Sequence, residues 1–271
     1  MNKVSFQGEH GAYSESAAKK FFGKEIDAIP HNTFIDALRS TEENNSDYSI
    51  LPVENSIEGT VGQSIDAITK TDLHSIGEIY LKVEHCLIGL GSIDDVNTVY
   101  SHPQALGQCS EFIQNRKLRT VPTYDTAGSV KIVKEMNDKS CASIASKDAG
   151  NLYNISIIKE GIENNSNNFT RFLIFSRGNT DETGNDKTSI IFSVKHEPGA
   201  LFQILKEFHD NEINLTKIES RPNKNKNWEY NFFVDFLGHH SNVKIKSVLD
   251  KIRENTLFLK VLGSYPIADL D

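Results

Sequence analysis

The sequence predicts an α/β protein: two lobes of alternating strands and helices, then a smaller C-terminal domain of βαββαβ order. Three observations predict it. Short apolar runs alternate with helix-period segments from Val4 to about residue 178. A polar, breaker-rich stretch follows, Gly178-Asn179-Thr180-Asp181-Glu182-Thr183-Gly184-Asn185-Asp186, which reads as a linker. Beyond it the patterns run strand, helix, strand, strand, helix, strand.

Composition sets the bounds. With 271 residues the chain can build two modest cores. Charged residues at 24% and hydrophobic ones at 38% fit a globular chain and not a disordered one. The net charge of -8 argues against a nucleic-acid surface, which needs a basic patch. An anion site must then be a local gathering of cations or N–H groups. Cys86, Cys109 and Cys141 are odd in number and far apart, so neither a disulfide framework nor a C-x-x-C site is expected. No apolar run reaches the ~18 residues of a membrane span. Met1 to Phe6 reads as a strand, not a signal peptide. A cytoplasmic protein is expected.

Val4-Ser5-Phe6 is the first strand. Gly8 and Gly11 permit tight turns before a helix from Ser14, with Tyr13 or Ser14 near its cap. Strand, Gly-turn and helix start make a backbone anion cradle or a plain turn. Ile26 to Ile29 is a strand, and a helix capped by Asn32 or Thr33 carries Phe34, Ala37 and Leu38 on one face. Tyr48 to Leu51 is a buried strand that Pro52 is expected to stop. Glu54, Asn55, Ser56, Glu58 and Thr60 crowd the following loop, where α/β folds place ligands. Ser56 or Thr60 can also cap the next helix, about Val61 to Thr69.

Ile76 to Leu90 exceeds a typical strand and suggests a crossing between lobes. His85 reads as a strand histidine, because no second His sits at metal-ligand spacing. After the strand Val99-Tyr100, Pro103 suits the first helical position. Leu106, Cys109 and Ile113 share one helix face, and Gln104 and Gln108 share the opposite one. Ser101 sits at the helix mouth. Leu118 to Val121 is a strand, and Asp125 or Thr126 caps a helix to Met136. Cys141 to Ala145 is a strand, Lys147 to Leu152 a short helix, and Ile155 to Glu160 a strand returning to the first lobe. The lobes are expected at roughly 1–78 with 157–178, and at 79–156, in a domain of residues 1–178.

The stretch Asn168-Phe169-Thr170-Arg171-Phe172 sets a hydroxyl beside a guanidinium where a loop enters a strand. It reads either as an ordinary strand start or as a site for an anionic substrate. In the C-terminal domain, 187–271, the strands are Thr188 to Val194, Asn214 to Ser220, Glu229 to Leu237 and Phe258 to Tyr265. Two helices carry the stripes Leu201, Ile204, Leu205, Phe208 and Ile245, Val248, Leu249, Ile252. This order is ferredoxin-like. Pro198 stops the first strand, and Gly199 lets backbone approach a ligand.

Ordered motifs along the chain now carry a resemblance. Pro52-Val53-Glu54-Asn55-Ser56 with Glu58-Gly59, Ser101-His102-Pro103-Gln104-Ala105-Leu106 with Gln108-Cys109, and Asn168 to Phe172 resemble the three dehydratase motifs of monofunctional prephenate dehydratases. The turn Gly8 to Ser14 is similar to that family's opening motif, with Glu9-His10 where a proline is often found. Gly199-Ala200-Leu201 and Glu219-Ser220-Arg221-Pro222 resemble the phenylalanine-binding motifs of its C-terminal ACT regulatory domain. The resemblance spans nearly the whole chain. It implies a periplasmic-binding-protein-like pair of lobes with a cleft between them, and a homo-oligomer, dimer or tetramer, assembled through ACT domains.

The resemblance also implies an activity: decarboxylating dehydration of prephenate to phenylpyruvate, a carbon–oxygen lyase reaction restrained by phenylalanine. It implies catalytic roles for Thr170, Glu54, Asn55, Ser101 and Gln108, and substrate binding by Arg171, Asn168, Gly11, Ala12 and Tyr13. The effector residues are Gly199, Ala200, Leu201, Glu219, Ser220, Arg221 and Pro222. No cofactor and no metal are implied. Thr170 would donate a hydrogen bond to the departing oxygen, since a threonine hydroxyl is a very weak acid. Arg171 would clamp a carboxylate. If residues 168–172 are extended, the two side chains face opposite ways. Either the segment bends, or Arg171 binds at the edge. The rival readings are an arogenate dehydratase and a two-lobed amino-acid sensor without enzymatic activity.

Overall fold

The computed structural model describes residues 1–222 and 230–270. Alternation of apolar strand runs and amphipathic helices builds the first lobe. Its elements are β1 (Asn2–Gln7), α1 (Tyr13–Phe22), β2 (Ile26–His31), α2 (Phe34–Glu42), β3 (Tyr48–Asn55), β4 (Gly59–Thr60), α3 (Gly62–Ile68) and β5 (His74–Lys82). The chain then crosses into β6 (Cys86–Gly89), β7 (Thr98–Ser101), α4 (Pro103–Gln108), α5 (Ser110–Asn115), β8 (Arg119–Pro122), α6 (Gly128–Met136), β9 (Cys141–Ala145), α7 (Lys147–Tyr153) and β10 (Ile157–Lys159). It returns through β11 (Phe169–Ser176). The C-terminal domain contains β12 (Asp186–Ser193), α8 (Ala200–Asp210), β13 (Leu215–Pro222), β14 (Tyr230–Leu237), α9 (Val243–Glu254) and β15 (Phe258–Pro266).

The first sheet runs β2-β1-β3-β11-β5, with β4 paired to β3, and the second runs β10-β6-β9-β7-β8. In each, three strands are parallel neighbours, so their carboxyl ends gather at one edge. β10 pairs with β6 in the second sheet, so the return to the first lobe comes at β11 and not at residue 157. Likewise β5 continues to Lys82 in the first sheet, past the expected crossing at 79.

The third sheet runs β13-β14-β12-β15, the ferredoxin-like order. Side chains alternate across β12. Ile190 and Phe192 meet Ile204, Phe208 and Val248 of the two helices. Ile191 faces the other way and joins Phe233 and Tyr265 against Leu51, Val53, Leu173 and Phe175 of the first lobe. The C-terminal sheet therefore shares a core with the first lobe. Gly263 permits the approach: a Cβ there would lie 2.1 Å from the Ser75 carbonyl. The expected strand from Glu229 is seen from Tyr230, since Glu229 lies outside the described residues.

Several local expectations change. Pro52 does not end β3, which continues to Asn55. Its partner Phe172 follows directly on Arg171, the partner of Glu54, so Val53 is an extra residue in β3. A proline without an N–H is tolerated beside such a bulge. The helix from Pro103 breaks at Cys109 into α4 and α5. Ala12, not Tyr13 or Ser14, precedes α1, and no side chain caps it. Ser56 bonds the Asn167 carbonyl and the Phe169 N–H instead of capping α3. Among the described residues no helix is long and apolar enough to cross a membrane.

Candidate active site

The gathered strand ends face each other across a cavity of about 560 Å³. Gln7, Asn32 and Asn55 reach it from the first lobe, and His102, Asp125 and Ser146 from the second. Thr170, at the start of β11, lines it as well. The lobes meet tightly at its rim. Ser146 Oγ donates to the Gly11 carbonyl at 2.6 Å, and Ser16 Oγ to Asp148 at 2.6 Å. Gly11, at φ +88°, lies so close that a Cβ would stand 2.8 Å from Ala149 Cα.

The bulge at Val53 decides which side chains face the cavity. Thr170 pairs with Asn55, and Arg171 with Glu54. Paired residues share a face. Thr170 and Asn55 turn to the cavity, while Arg171 and Glu54 turn to the C-terminal sheet. Without the extra residue Glu54 would face the cavity and Asn55 would not.

Asn55 organises a chain of bonds. Its Oδ1 accepts from the N–H groups of Ile57 and Glu58, each at 3.0 Å. Its Nδ2 therefore donates, to Thr170 Oγ1 at 3.0 Å and to Asn168 Oδ1 at 2.6 Å. Asn168 Nδ2 donates in turn to Gln108 Oε1 at 3.1 Å. Since Thr170 Oγ1 is the acceptor from Asn55, its own proton is left for another partner. Thr170 is 9% exposed.

Arg171 is 4% exposed and does not reach the cavity. Its Nε donates to Glu78 at 2.7 Å, Nη1 to Asp235 at 2.5 Å and Nη2 to the Tyr265 hydroxyl at 2.9 Å. Lys187 also binds Glu78, at 2.7 Å. Burial alone would lower the guanidinium pKa, but Tyr265, Asp235 and Glu78 outweigh it and hold the group charged. Glu54 likewise lies 2.7 Å from Lys217 of β13. Here these two residues join the catalytic-domain strands to the C-terminal sheet, where the sequence suggested a carboxylate clamp and a catalytic carboxylate. Ser101 is fully buried, with Oγ on the Ile144 carbonyl at 2.6 Å, outside the cavity lining.

Gly11, Ala12 and Tyr13 do line the cavity, at the uncapped start of α1. Tyr13 turns its hydroxyl inward, to the Glu84 carbonyl and His85. Of the residues lining the cavity none is lysine or arginine. No cluster of His, Cys, Asp and Glu among the described residues could hold a metal ion. The sequence read His85 as a strand histidine and Asp125 as a possible helix cap; His85 lies in the crossing between β5 and β6, and Asp125 accepts from the Gly128 N–H at 2.7 Å. Burial lowers the pKa of His85, against Gln108 and Glu163. Burial raises that of Asp125, against N–H bonds from Gly128 and Ala127. Both lie just beyond strand ends, the one signal that could have marked them.

In the C-terminal domain Gly199 takes φ +85° just before α8, and Glu219 to Pro222 end β13. Ser193, Asn231 and Arg221 fall in one row, so both segments sit at one end of the sheet. Arg221 reaches the first lobe, with Nε 3.8 Å from Asp66 and its guanidinium over Gly62 of α3.

Comparison with known proteins gives the same division. The prephenate dehydratase family model matches residues 4–180 and the ACT domain model residues 188–254. A Methanocaldococcus jannaschii prephenate dehydratase is 38% identical over 279 residues, which cover 99% of this chain and 100% of that protein. An Aquifex aeolicus bifunctional chorismate mutase/prephenate dehydratase is 40% identical over 269 residues, 98% of this chain and 74% of the relative. The crystal structure of an Arthrobacter aurescens prephenate dehydratase in complex with L-Phe superposes with a TM-score of 0.91 at 27% identity, covering 99% of this chain and 91% of the other. With the family model matching most of its length, this chain belongs to the prephenate dehydratase family and carries a C-terminal ACT domain.

Proposed function

We propose that this chain converts prephenate to phenylpyruvate, water and carbon dioxide, and that phenylalanine bound to the ACT domain restrains the reaction. The observation that carries this reading is the Thr170 hydroxyl, which accepts from Asn55 and so directs its proton into the cavity. In the reaction the ring carbon–oxygen bond breaks and the oxygen leaves as water once protonated. The bond to the ring carboxylate breaks too, its electron pair enters the ring, and aromaticity results. Thr170 donates a hydrogen bond to the oxygen as negative charge grows on it. Gln108 lines the cavity nearby, and Asn168, which the sequence suggested for substrate binding, is fully buried behind it and links Asn55 to Gln108.

The substrate is a dianion, and the cavity offers no cationic Lys or Arg side chain. We assign carboxylate binding to the N–H groups of Tyr13 and Ser14 at the open start of α1. That helix of ten residues has no side-chain cap and lines the cavity. Glu54 and Arg171 serve by joining the catalytic domain to its regulator. The effector site lies at the sheet end formed by Gly199–Leu201 and Glu219–Pro222, completed by a second copy of the chain in a symmetric oligomer in the cytoplasm.

The test is phenylpyruvate absorbance with prephenate and, side by side, chromatographic measurement of the phenylalanine formed from arogenate. Thr170→Ala is expected to lower kcat by roughly 10²–10⁴-fold. Unchanged turnover in a folded variant sinks the assignment of Thr170. A higher kcat/KM with arogenate overturns the substrate. Phenylalanine that binds by calorimetry without altering the kinetics overturns the regulation.

A further inference from the structure

The crossing from β5 to β6 carries a histidine that the scheme above does not use. His85 lies between the lobes and is 2% exposed. Its ring touches one residue of each lobe. From α1, the Tyr13 hydroxyl lies 2.9 Å from Nδ1, and the two rings form a T-shaped pair. From α4, Gln108 Oε1 lies 2.9 Å from Nε2. The ring's root is fixed as well. The His85 N–H donates to Glu163 at 2.9 Å, and its carbonyl accepts from Ile162 at 3.1 Å.

The direction of every bond in this chain follows from two backbone groups. The Ile57 and Glu58 N–H groups can only donate, so Asn55 Oδ1 accepts and Nδ2 donates. Asn168 then accepts through Oδ1 and donates through Nδ2 to Gln108 Oε1. An amide oxygen cannot donate, so the imidazole nitrogen facing it must carry a proton. Burial keeps the ring uncharged. The single proton therefore sits on Nε2, and Nδ1 faces the Tyr13 hydroxyl, whose one proton lies between Nδ1 at 2.9 Å and the Glu84 carbonyl at 2.8 Å. Gln108 is pinned with its oxygen inward; its Nε2 faces Glu58 Oε1 at 3.5 Å, which leaves its second amide hydrogen for the cavity it lines.

We propose that His85 is a positioning residue for the dehydration: its Nε2–H holds Gln108 Oε1, so that one amide hydrogen of Gln108 is left to the cleft as a second donor beside Thr170. The inference rests on the dehydratase reading, but the tautomer it requires does not.

Two variants and one spectrum test it. His85→Phe keeps a ring against Tyr13 and deletes the donor. His85→Gln places an amide N–H₂ near the position of Nε2. His85→Phe is expected to lower kcat about 10–100-fold with KM changed less than about threefold. His85→Gln is expected to recover to within about fivefold of wild type, and His85→Phe to add less than about twofold in a Gln108→Ala background. Wild-type kcat in folded His85→Phe, equal losses in the Phe and Gln variants, or additive losses overturn the proposal. Imidazole ¹⁵N NMR of the wild-type protein reads the tautomer without reference to turnover or to variants. An Nε2–H ring is expected. An Nδ1–H ring in a protein that turns over prephenate overturns the proposal alone. An Nε2–H ring in a protein that forms no phenylpyruvate overturns the dehydratase reading and the proposal with it.

Discussion

Thr170 and Arg171 are adjacent in β11 and serve opposite faces of it. Thr170 Oγ1 lies 3.0 Å from Asn55 at the cavity, and Arg171 Nη1 lies 2.5 Å from Asp235 in the C-terminal sheet. The proposed catalytic hydroxyl and the main polar tie to the regulatory domain are one peptide unit apart. A shift of the C-terminal sheet that moves Asp235 pulls on a side chain rooted one residue from Thr170. This is a short mechanical route by which an effector could reach the chemistry.

Arg171→Met should act first on stability. It strands the carboxylates of Glu78 and Asp235 in a dry site, with Lys187 remaining for Glu78 alone. The expected loss is about 3–5 kcal/mol in urea denaturation. Adding Asp235→Asn should recover part of it. A single variant as stable as wild type would remove the ion cluster from the account.

Asn55→Asp tests the polarity of the bond chain. The carboxylate still accepts from Ile57 and Glu58, but it presents an acceptor where Thr170 and Asn168 need a donor. We expect kcat to fall by at least about 10²-fold, with stability reduced by roughly 1–3 kcal/mol. Turnover within threefold of wild type, in an assay of the purified variant, contradicts the assigned direction.

Gly11→Val probes the contact between lobes. The new side chain meets Ala149 and must also adopt a positive φ. The expected outcome is a stability loss of about 1–3 kcal/mol and a raised KM, because the lobes are held apart at the substrate's edge. Steady-state kinetics and urea midpoints read the two effects separately, and an unchanged KM argues against closure at this point.

Stability should decline as pH falls below about 6.5. Burial lowers the pKa of His85, His31 and His240 in the fold. Between each folded value and the unfolded one the unfolded chain binds more protons, so acid favours unfolding in that window. At pH 7 and above their contribution is flat. His85→Gln should flatten the slope of urea midpoints across the window. An identical slope in the variant would mean that His85 is not held neutral.

Much of this was legible in the chain. Periodicity placed the strands and helices, because buried faces must repeat at the period of the element that buries them. The helix stripes Ile245, Val248, Leu249 and Ile252 are buried as read. The extended reading of residues 168–172 already set Thr170 against Arg171. What parity could not show was the extra residue at Val53, since a bulge leaves composition and spacing almost untouched and yet turns Glu54 and Asn55 over. Pro52 was read as a stop for the same reason. His85 looked ordinary because its partners, Tyr13 and Gln108, are distant in sequence and meet only once the lobes close. Ser101 showed the converse. It stands among motif residues, but its hydroxyl serves the Ile144 carbonyl.

The shared core under the C-terminal sheet has a further consequence. Ile191, Phe233, Leu262 and Tyr265 complete an apolar cluster whose other members come from the first lobe. The linker at residues 178–186 separates two segments of sequence, but it does not separate two bodies of packing. A protease nick there would leave the halves clasped together, whereas a chain ended there would carry a raw apolar wall into water. The regulator is thus also part of the enzyme's own scaffolding.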